Sequence, residues 1–93
     1  MKKRMLIMEP DDNAGVMLED ARQNDAATFE NTTVVALEPI EFAHKIALRD
    51  IFKNEDIIKY GEVIGYALKD IQKGQWIHIH NMDDVHGREG RLL

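Results

Sequence analysis

ALRDIFKN at residues 47–54 returns as ALKDIQKG at residues 67–74, and this repeat decides the fold. Ala, Leu, Asp, Ile and Lys are identical in the two copies, and the third position exchanges Arg for Lys. Chance rarely gives such a match at a constant offset, so we interpret it as one structural unit used twice. The copies end in Asn54 and Gly74, residue types that adopt positive φ at low cost. Each copy therefore predicts a strand, a tight turn and a return strand.

A fainter third copy begins at Leu18, where Leu, Asp and Asn again fall in register. The aspartates at matching positions of the two clear copies, Asp50 and Asp70, are expected to make turn hydrogen bonds rather than to catalyse. The repeat is thus interpreted as a structural element.

The rest of the chain also favours β-structure. Residues 32–37 are rich in β-branched side chains, and glycines interrupt any helix in the second half at a cost of up to ~1 kcal/mol each relative to Ala. We predict an all-β domain of short bent strands over residues 1–81, followed by a polar tail at 82–93. One short helix near residues 42–50 is left open.

Length and composition exclude several functions. The 93 residues form one small domain, with little room for a deep enclosed pocket. Because the chain has no cysteine, disulfides, thiolate metal sites and thiol nucleophiles are ruled out. The net charge is −5, without the clustered excess of Lys and Arg that nucleic acid requires, and no apolar run is long enough to span a bilayer. We expect a cytoplasmic protein that binds neither nucleic acid nor membrane.

A His-x-His motif follows Trp76 and is the candidate metal site. On a strand, Ile77 and Ile79 would face the core while His78 and His80 would share the opposite face. Two imidazoles so placed can reach one metal ion, and with imidazole and oxygen ligands that ion would be iron, manganese, zinc or nickel. The alternative is that both histidines are simply exposed polar residues.

A second candidate site consists of His44, Lys45 and Arg49. If these residues share one face of a strand, the two cations could hold a carboxylate-bearing substrate while the imidazole serves as general acid or base. The alternative is a loop histidine beside two solvated basic residues, which would also discourage edge-to-edge aggregation.

Three ordered motifs give the chain a family resemblance: AHKIALRDI at residues 43–51, IKYGEVIG at residues 58–65 and HIHN at residues 78–81. Together they resemble the N-terminal SAF-type domain of the altronate and galactarate dehydratases, which is also the separate small subunit of related enzymes such as sulfolactate sulfo-lyase. The resemblance implies a β-clip fold and a dehydratase acting on an anionic sugar acid such as altronate. It also implies a requirement for iron(II) or manganese(II) and a much larger catalytic polypeptide.

The resemblance also frames how the chain works. Because the chain ends twelve residues after the third motif, we expect a free-standing small subunit that turns over little without a large catalytic subunit. A homo-oligomer is left open, as are a sulfolactate sulfo-lyase small subunit and a non-catalytic carbohydrate-binding module. Two departures from the family pattern are Ala43, where Gly is usual, and Ile79, where Thr is common.

Overall fold

The computed structural model describes residues 1–84, and this part of the chain contains strands and turns but no helix. The all-β prediction is confirmed. The strands are β1 Lys2–Leu6, β2 Ala14–Met17, β3 Ala26–Phe29, β4 Thr32–Val35, β5 Lys45–Ala47, β6 Asp56–Lys59, β7 Glu62–Ala67, β8 Trp76–Ile77 and β9 Met82–Asp84. No helix that could span a membrane is therefore present within residues 1–84.

Two details of the sequence interpretation need correction. The segment left open as a helix, residues 42–50, instead contains a turn and β5, because its amides and carbonyls bond to other strands. The predicted tail begins too early, since β9 pairs with β7 through residues 82–84. The remainder of that tail lies outside the described residues.

The strands form two small sheets. One has six strands in the order β4-β3-β1-β2-β5-β8, and the other has three in the order β6-β7-β9. Only β1 and β3 run parallel; the other neighbouring pairs within residues 1–84 are antiparallel. Each strand is short and is followed by a turn, as the repeat predicted.

The repeat proves to occur four times, as ten-residue units at 17–26, 36–45, 47–56 and 67–76. Every unit has Leu at its second position, a buried aliphatic residue at its fifth and positive φ at its eighth. The eighth residues are Asn24 (φ 76°), Ala43 (71°), Asn54 (75°) and Gly74 (93°). The third copy seen in the sequence is therefore real, and the unit at 36–45 is an additional one.

The units hold each other in pairs, which we term clasps. In the first clasp, units 17–26 and 36–45 exchange hydrogen bonds: the eighth residue of each donates its N–H to the first residue of the other, at 2.7 and 2.8 Å. In the second clasp, units 47–56 and 67–76 make the same exchange, at 2.8 Å both ways. Asp50 and Asp70 do make structural hydrogen bonds, but each bonds to the turn of the partner unit rather than to its own: Asp50 accepts from the backbone N–H of Lys73 and Asp70 from that of Lys53.

Each clasp surrounds its own hydrophobic core. The first core contains Met5, Met17, Ala21, Ala27, Val34, Ala36, Ile40 and Ile46. The second contains Ala14, Ala47, Ile51, Ile57, Ala67, Ile71 and Ile77. The adjoining strands β2, β5 and β8 connect the two, and the candidate site lies at this junction.

Two buried polar residues fasten the β6–β7 hairpin to the rest of the domain. The Asn13 side chain donates to the Asp56 carbonyl at 2.8 Å and accepts from the Ile58 N–H at 2.6 Å. Asp12 accepts from the Gly61 N–H at 2.8 Å. Burial raises the pKa of Asp12, but hydrogen bonds from the backbone, the strongest from Gly61, outweigh this effect and lower that pKa below its ordinary value.

Candidate functional site

His44 occupies the ninth position of unit 36–45, directly after the positive-φ residue. In the three other units the ninth side chain closes its own turn by accepting from the backbone N–H three residues earlier, at 2.8 Å for Asp25, 2.9 Å for Glu55 and 2.6 Å for Gln75. The imidazole of His44 instead accepts, through Nδ1, from the indole Nε1–H of Trp76 at 3.1 Å. His44 is thus the one ninth residue of the four units whose side chain does not accept from the backbone of its own turn.

Trp76 is the centre around which the histidines gather. Its ring centroid lies 5.0 Å from that of His78, with the rings stacked, and 5.1 Å from that of His80. The His44 ring meets the indole edge-on at 5.5 Å and lies 5.5 Å from the His78 ring. We refer to these three histidines and Trp76 as the imidazole cluster. Two candidate sites that the sequence treated separately therefore form one.

The extended geometry expected for the His-x-His motif is wrong. Strand β8 ends at Ile77, and the following residues form a turn in which the N–H groups of Asn81 and Met82 both donate to the His78 carbonyl, at 3.0 and 2.9 Å. Ile79 consequently projects outward and is 79% exposed rather than buried in the core. The imidazoles of His78 and His80 still converge, but they do so by packing on the indole rather than by strand alternation.

Asn81 causes this turn and was not singled out by the sequence reasoning. The side chain is buried, accepts from the His78 N–H at 2.9 Å and donates to the Trp76 carbonyl at 2.8 Å. The available signal was an Asn three residues after the first histidine, because Asn readily bonds to nearby backbone in turns. The Trp76 ring packs against the first core, and its indole N–H donates to His44.

Lys45 lies beside the cluster on β5 and is half-buried. Burial lowers the pKa of Lys45, and repulsion from Lys59 lowers it further. Within residues 1–84 neither lysine forms an ion pair with a carboxylate. Lys45 therefore brings positive charge to a site whose clefts are also lined by the carboxylates of Glu41, Asp83 and Asp84.

Arg49 lies apart from the cluster. The predicted shared face requires a continuous strand, but β5 ends at Ala47. The guanidinium of Arg49 lies 3.7 Å from the Glu55 carboxylate in the second clasp. Its assignment to the site stays a prediction without a contact to support it.

The electrostatics of His78 reflect the same positive surroundings. Desolvation lowers the pKa of His78, and the neighbouring Lys45, His44 and His80 lower it further, because each disfavours a second positive charge. A neutral His78 is therefore favoured near neutral pH, ready to act as a base or hydrogen-bond partner.

Two shallow clefts meet at His78. One of about 210 Å³ is lined by Pro39, Glu41, His44, Trp76 and His78. The other, of about 470 Å³, has Lys45 and His78 along its wall and extends towards β9. Small-molecule sites usually enclose most of their ligand. Both clefts are open to solvent.

The described residues alone do not fit a metal centre. Within the described residues no group of three or more His, Cys, Asp or Glu side chains is placed to hold a metal ion. His78 and His80 supply at most two donors, and Nδ1 of His44 already accepts from Trp76. A metal bound here would need further ligands from outside residues 1–84.

The short clasped strands and the surface imidazole cluster define a small β-domain with an open candidate site. Residues 3–85 match the family model described as the altronate/galactarate dehydratase SAF domain, and the chain belongs to this family. The resemblance seen in the sequence is confirmed.

Among relatives, the chain is 43% identical over 70 residues to altronate dehydratase of Escherichia coli (strain K12), covering 75% of this chain and 14% of that protein. It is 34% identical over 79 residues to altronate dehydratase of Bacillus subtilis (strain 168), covering 85% of this chain and 16% of the relative. The matched segment is thus a small part of either protein. This chain is also 38% identical over 45 residues to (2R)-sulfolactate sulfo-lyase subunit alpha of Chromohalobacter salexigens, and the match covers 48% of each chain.

Proposed function

We propose that the chain is the small subunit of a hydro-lyase that dehydrates a sugar acid such as altronate. The observation that carries the proposal is the imidazole cluster beside the half-buried Lys45, at the junction of the two clasps. Family membership supports the reaction class, and the clustered positive charge supports an anionic substrate.

Dehydration of a 2,3-dihydroxy acid sets three chemical tasks. The proton next to the carboxylate must be removed, the resulting enediolate must be stabilised, and the leaving hydroxide must be assisted. In our proposal Lys45 binds the substrate carboxylate by charge, His78 in its neutral form accepts a proton, and His44 donates a hydrogen bond to a substrate oxygen. The iron(II) or manganese(II) implied by the resemblance would take its remaining ligands from a second polypeptide, with His78 and His80 contributing at most two. A His78 that binds the metal cannot also accept the proton, and the base would then come from that second polypeptide.

The proposed large catalytic subunit is supported by two observations. The clefts are open, so water is excluded only if another surface covers them. In addition, the sulfolactate sulfo-lyase relative is called a subunit, and because 45 residues make up 48% of both chains, that relative has about the length of this one. We therefore propose that the chain docks its imidazole cluster on a larger dehydratase polypeptide.

Reconstitution tests the proposal. The 93-residue chain is co-expressed with a candidate large dehydratase polypeptide, and release of the 2-keto product from altronate is measured for the complex and for each component alone. We expect turnover only in the complex, with a loss of 10²-fold or more in His78→Ala, the range typical of a lost acid or base. Arg22→Ala, on the first clasp away from the cluster, is the matched control. Turnover by the isolated chain, or full turnover in His78→Ala, would overturn the proposal.

The same complex distinguishes the second candidate, a sulfolactate sulfo-lyase small subunit, which the relative of similar length favours. Both reactions expel a group beta to a carboxylate, so Lys45 would serve either. Sulfite release from (2R)-sulfolactate without dehydration of altronate would support this alternative.

Metal analysis of the complex and of a His78→Ala/His80→Ala variant tests the proposed ligands. If both histidines bind the metal, the variant should lose iron or manganese. Carbohydrate binding that persists in that variant, without turnover by any complex, would indicate a non-catalytic module instead.

A further inference from the structure

We infer that Trp76 is a positioning residue that fixes His44 in the tautomer protonated on Nε2, so that the cleft receives a hydrogen-bond donor. The indole N–H can only donate, and it lies 3.1 Å from Nδ1 of His44. Nδ1 must therefore carry a lone pair, and the proton of the neutral imidazole resides on Nε2. The inference concerns a residue that acts through His44, not one that touches the substrate.

The indole is itself held in place from several sides. The backbone N–H of Trp76 donates to the Glu38 carboxylate at 3.1 Å, and the backbone carbonyl of Trp76 accepts from the Asn81 side chain at 2.8 Å. Its ring is stacked on His78 at 5.0 Å and packs against the first core. Because the donor is fixed before any ligand arrives, the orientation of His44 is fixed as well, which is the arrangement expected of a preorganised site.

The other units show that this bond is not required by the turn. Asp25, Glu55 and Gln75, the ninth residues of the other three units, each bond to the backbone of their own turn. His44 gives up that local bond and is held by a residue thirty-two positions away in sequence, across the junction of the two clasps. A residue chosen only to close the turn would have an acceptor aimed at the Glu41 N–H instead.

The tautomer determines what His44 can bind. Within residues 1–84, Nε2 of His44 has no hydrogen-bond partner, and His44 lines the 210 Å³ cleft. A protonated Nε2 pairs with an acceptor, such as a carboxylate or hydroxyl oxygen, and it cannot ligate a metal ion while Nδ1 accepts from Trp76. That this oxygen belongs to a sugar acid rests on the proposed function. The tautomer of His44 does not depend on the proposed function, because it follows from the bond to Trp76.

NMR of the uniformly ¹⁵N-labelled 93-residue chain tests the inference directly. At about pH 8, where an ordinary imidazole is neutral, long-range ¹H–¹⁵N correlation should show Nε2 of His44 protonated and Nδ1 unprotonated. A scalar coupling across the N–H···N bond should link the indole Nε1 of Trp76 to Nδ1 of His44. Protonation on Nδ1, or a His44 signal averaged between tautomers with no such coupling, would overturn the inference.

A variant shows whether Trp76 is the cause. In Trp76→Phe the ring contacts remain but the donor is lost, so the His44 ¹⁵N shifts should move towards the averaged values of a solvent-exposed imidazole. Tyr66→Phe, which removes an aromatic donor elsewhere, should leave them unchanged. An unchanged His44 spectrum in folded Trp76→Phe would refute the positioning role. The NMR experiment uses no substrate, so it is independent of the activity assay. A confirmed tautomer with an inactive complex would overturn only the proposed function. An active complex with the other tautomer would overturn only this inference.

Discussion

The two clasps are built from the same ten-residue unit, yet only one of them carries the candidate site. In the second clasp the unit is used symmetrically, because both ninth residues close their turns and both aspartates bond across the pair. In the first clasp, unit 17–26 is equally regular, but unit 36–45 departs from it. It has Pro39 where the others have Asp, Ala43 where they have Asn or Gly, and His44 where they have Asp, Glu or Gln.

This difference separates what the repeat does for the fold from what it does for the site. Three units satisfy their own turns and contribute stability. The fourth unit lacks both the aspartate bond, because Pro39 replaces Asp, and the bond that closes the turn, because His44 replaces Asp, Glu or Gln. It instead directs an imidazole to the junction with the second clasp. Departures from a local rule, tolerated because the rest of the structure supports them, are expected at functional sites.

The largest expected effect tests whether the two clasps contribute equally to the cores. Ile71→Ala in the second clasp and Ile40→Ala in the first remove equivalent, fully buried side chains, so each should reduce the free energy of unfolding by about 2–5 kcal/mol. Ile79→Ala, at a side chain that is 79% exposed, is the control and should change it by less than about 0.5 kcal/mol. Urea denaturation measures all three. A cost for Ile40→Ala no greater than the control would show that the first core is not a structural equivalent of the second.

The second prediction concerns His44→Gln, which should give unit 36–45 the turn-closing side chain that the other three units have. In His44→Gln the amide can close the turn as Gln75 does, so the free energy of unfolding should not fall by more than about 1 kcal/mol. Turnover of the reconstituted complex should nevertheless fall by about 10²–10³-fold, because the Nε2 donor that His44 directs at the substrate oxygen is lost. The reciprocal change, Asp25→His in regular unit 17–26, should lower stability by about 0.5–1.5 kcal/mol and leave turnover intact. Equal turnover in both variants would remove His44 from the site.

These two predictions also mark the limit of what the sequence could reveal. The β-class, the third copy of the unit and the positive φ of Asn54 and Gly74 followed from local residue preferences, and the structure confirms them. The copy at 36–45 was hidden because Pro39 and Ala43 replace the residues that mark the others. The segment 36–45 is recognised as a copy of the unit by its hydrogen bonds to unit 17–26, and only the fold brings these two segments together.

Four residues of the candidate site were named from the sequence, but their geometry was not predicted, and Arg49, which was named with them, lies apart. His44, Lys45, His78 and His80 were named from residue type and spacing, and the three histidines do converge. The strand alternation used to place them failed because buried Asn81 turns the chain after Ile77. Whether a given Asn is exposed or buried depends on long-range packing, which spacing alone does not encode.

The cross-clasp aspartate bonds should have an intermediate effect. Asp50→Ala removes the acceptor of the Lys73 N–H, and Asp20→Ala removes that of the Phe42 N–H. Because both bonds are exposed, each loss should cost about 0.5–1.5 kcal/mol in thermal or urea unfolding. Glu62→Ala, an exposed carboxylate on β7, is the control. If only Asp50→Ala had an effect, the first clasp would not depend on its single remaining aspartate bond.

A smaller effect of opposite sign is expected at Ala43. Its φ of 71° lies in the left-handed region, which strains a residue with a Cβ, and the corresponding residues Asn24, Asn54 and Gly74 tolerate this conformation better. Ala43→Gly should therefore raise the free energy of unfolding by about 0.5–1 kcal/mol. Ala27→Gly, within β3, should lower it, since glycine costs entropy in a strand and a buried methyl group is lost. A destabilised Ala43→Gly would show that the strain is relieved elsewhere in the turn.

The smallest expected effect is a pH dependence that belongs to the junction. Burial, followed by the charges of Lys45, His44 and His80, lowers the pKa of His78 in the folded chain, so the unfolded chain binds this proton more readily. Stability should therefore be lost as pH falls below the ordinary histidine value of about 6.5, and His78→Gln should flatten that slope. Asp12 acts in a separate window, because its lowered pKa contributes stability above about pH 4 that is lost on further acidification, in the variant as in the wild type. Urea titrations from about pH 7.5 to 3 resolve the two windows. A slope near pH 6 that persists unchanged in His78→Gln would show that His78 is not the group whose lowered pKa links stability to pH.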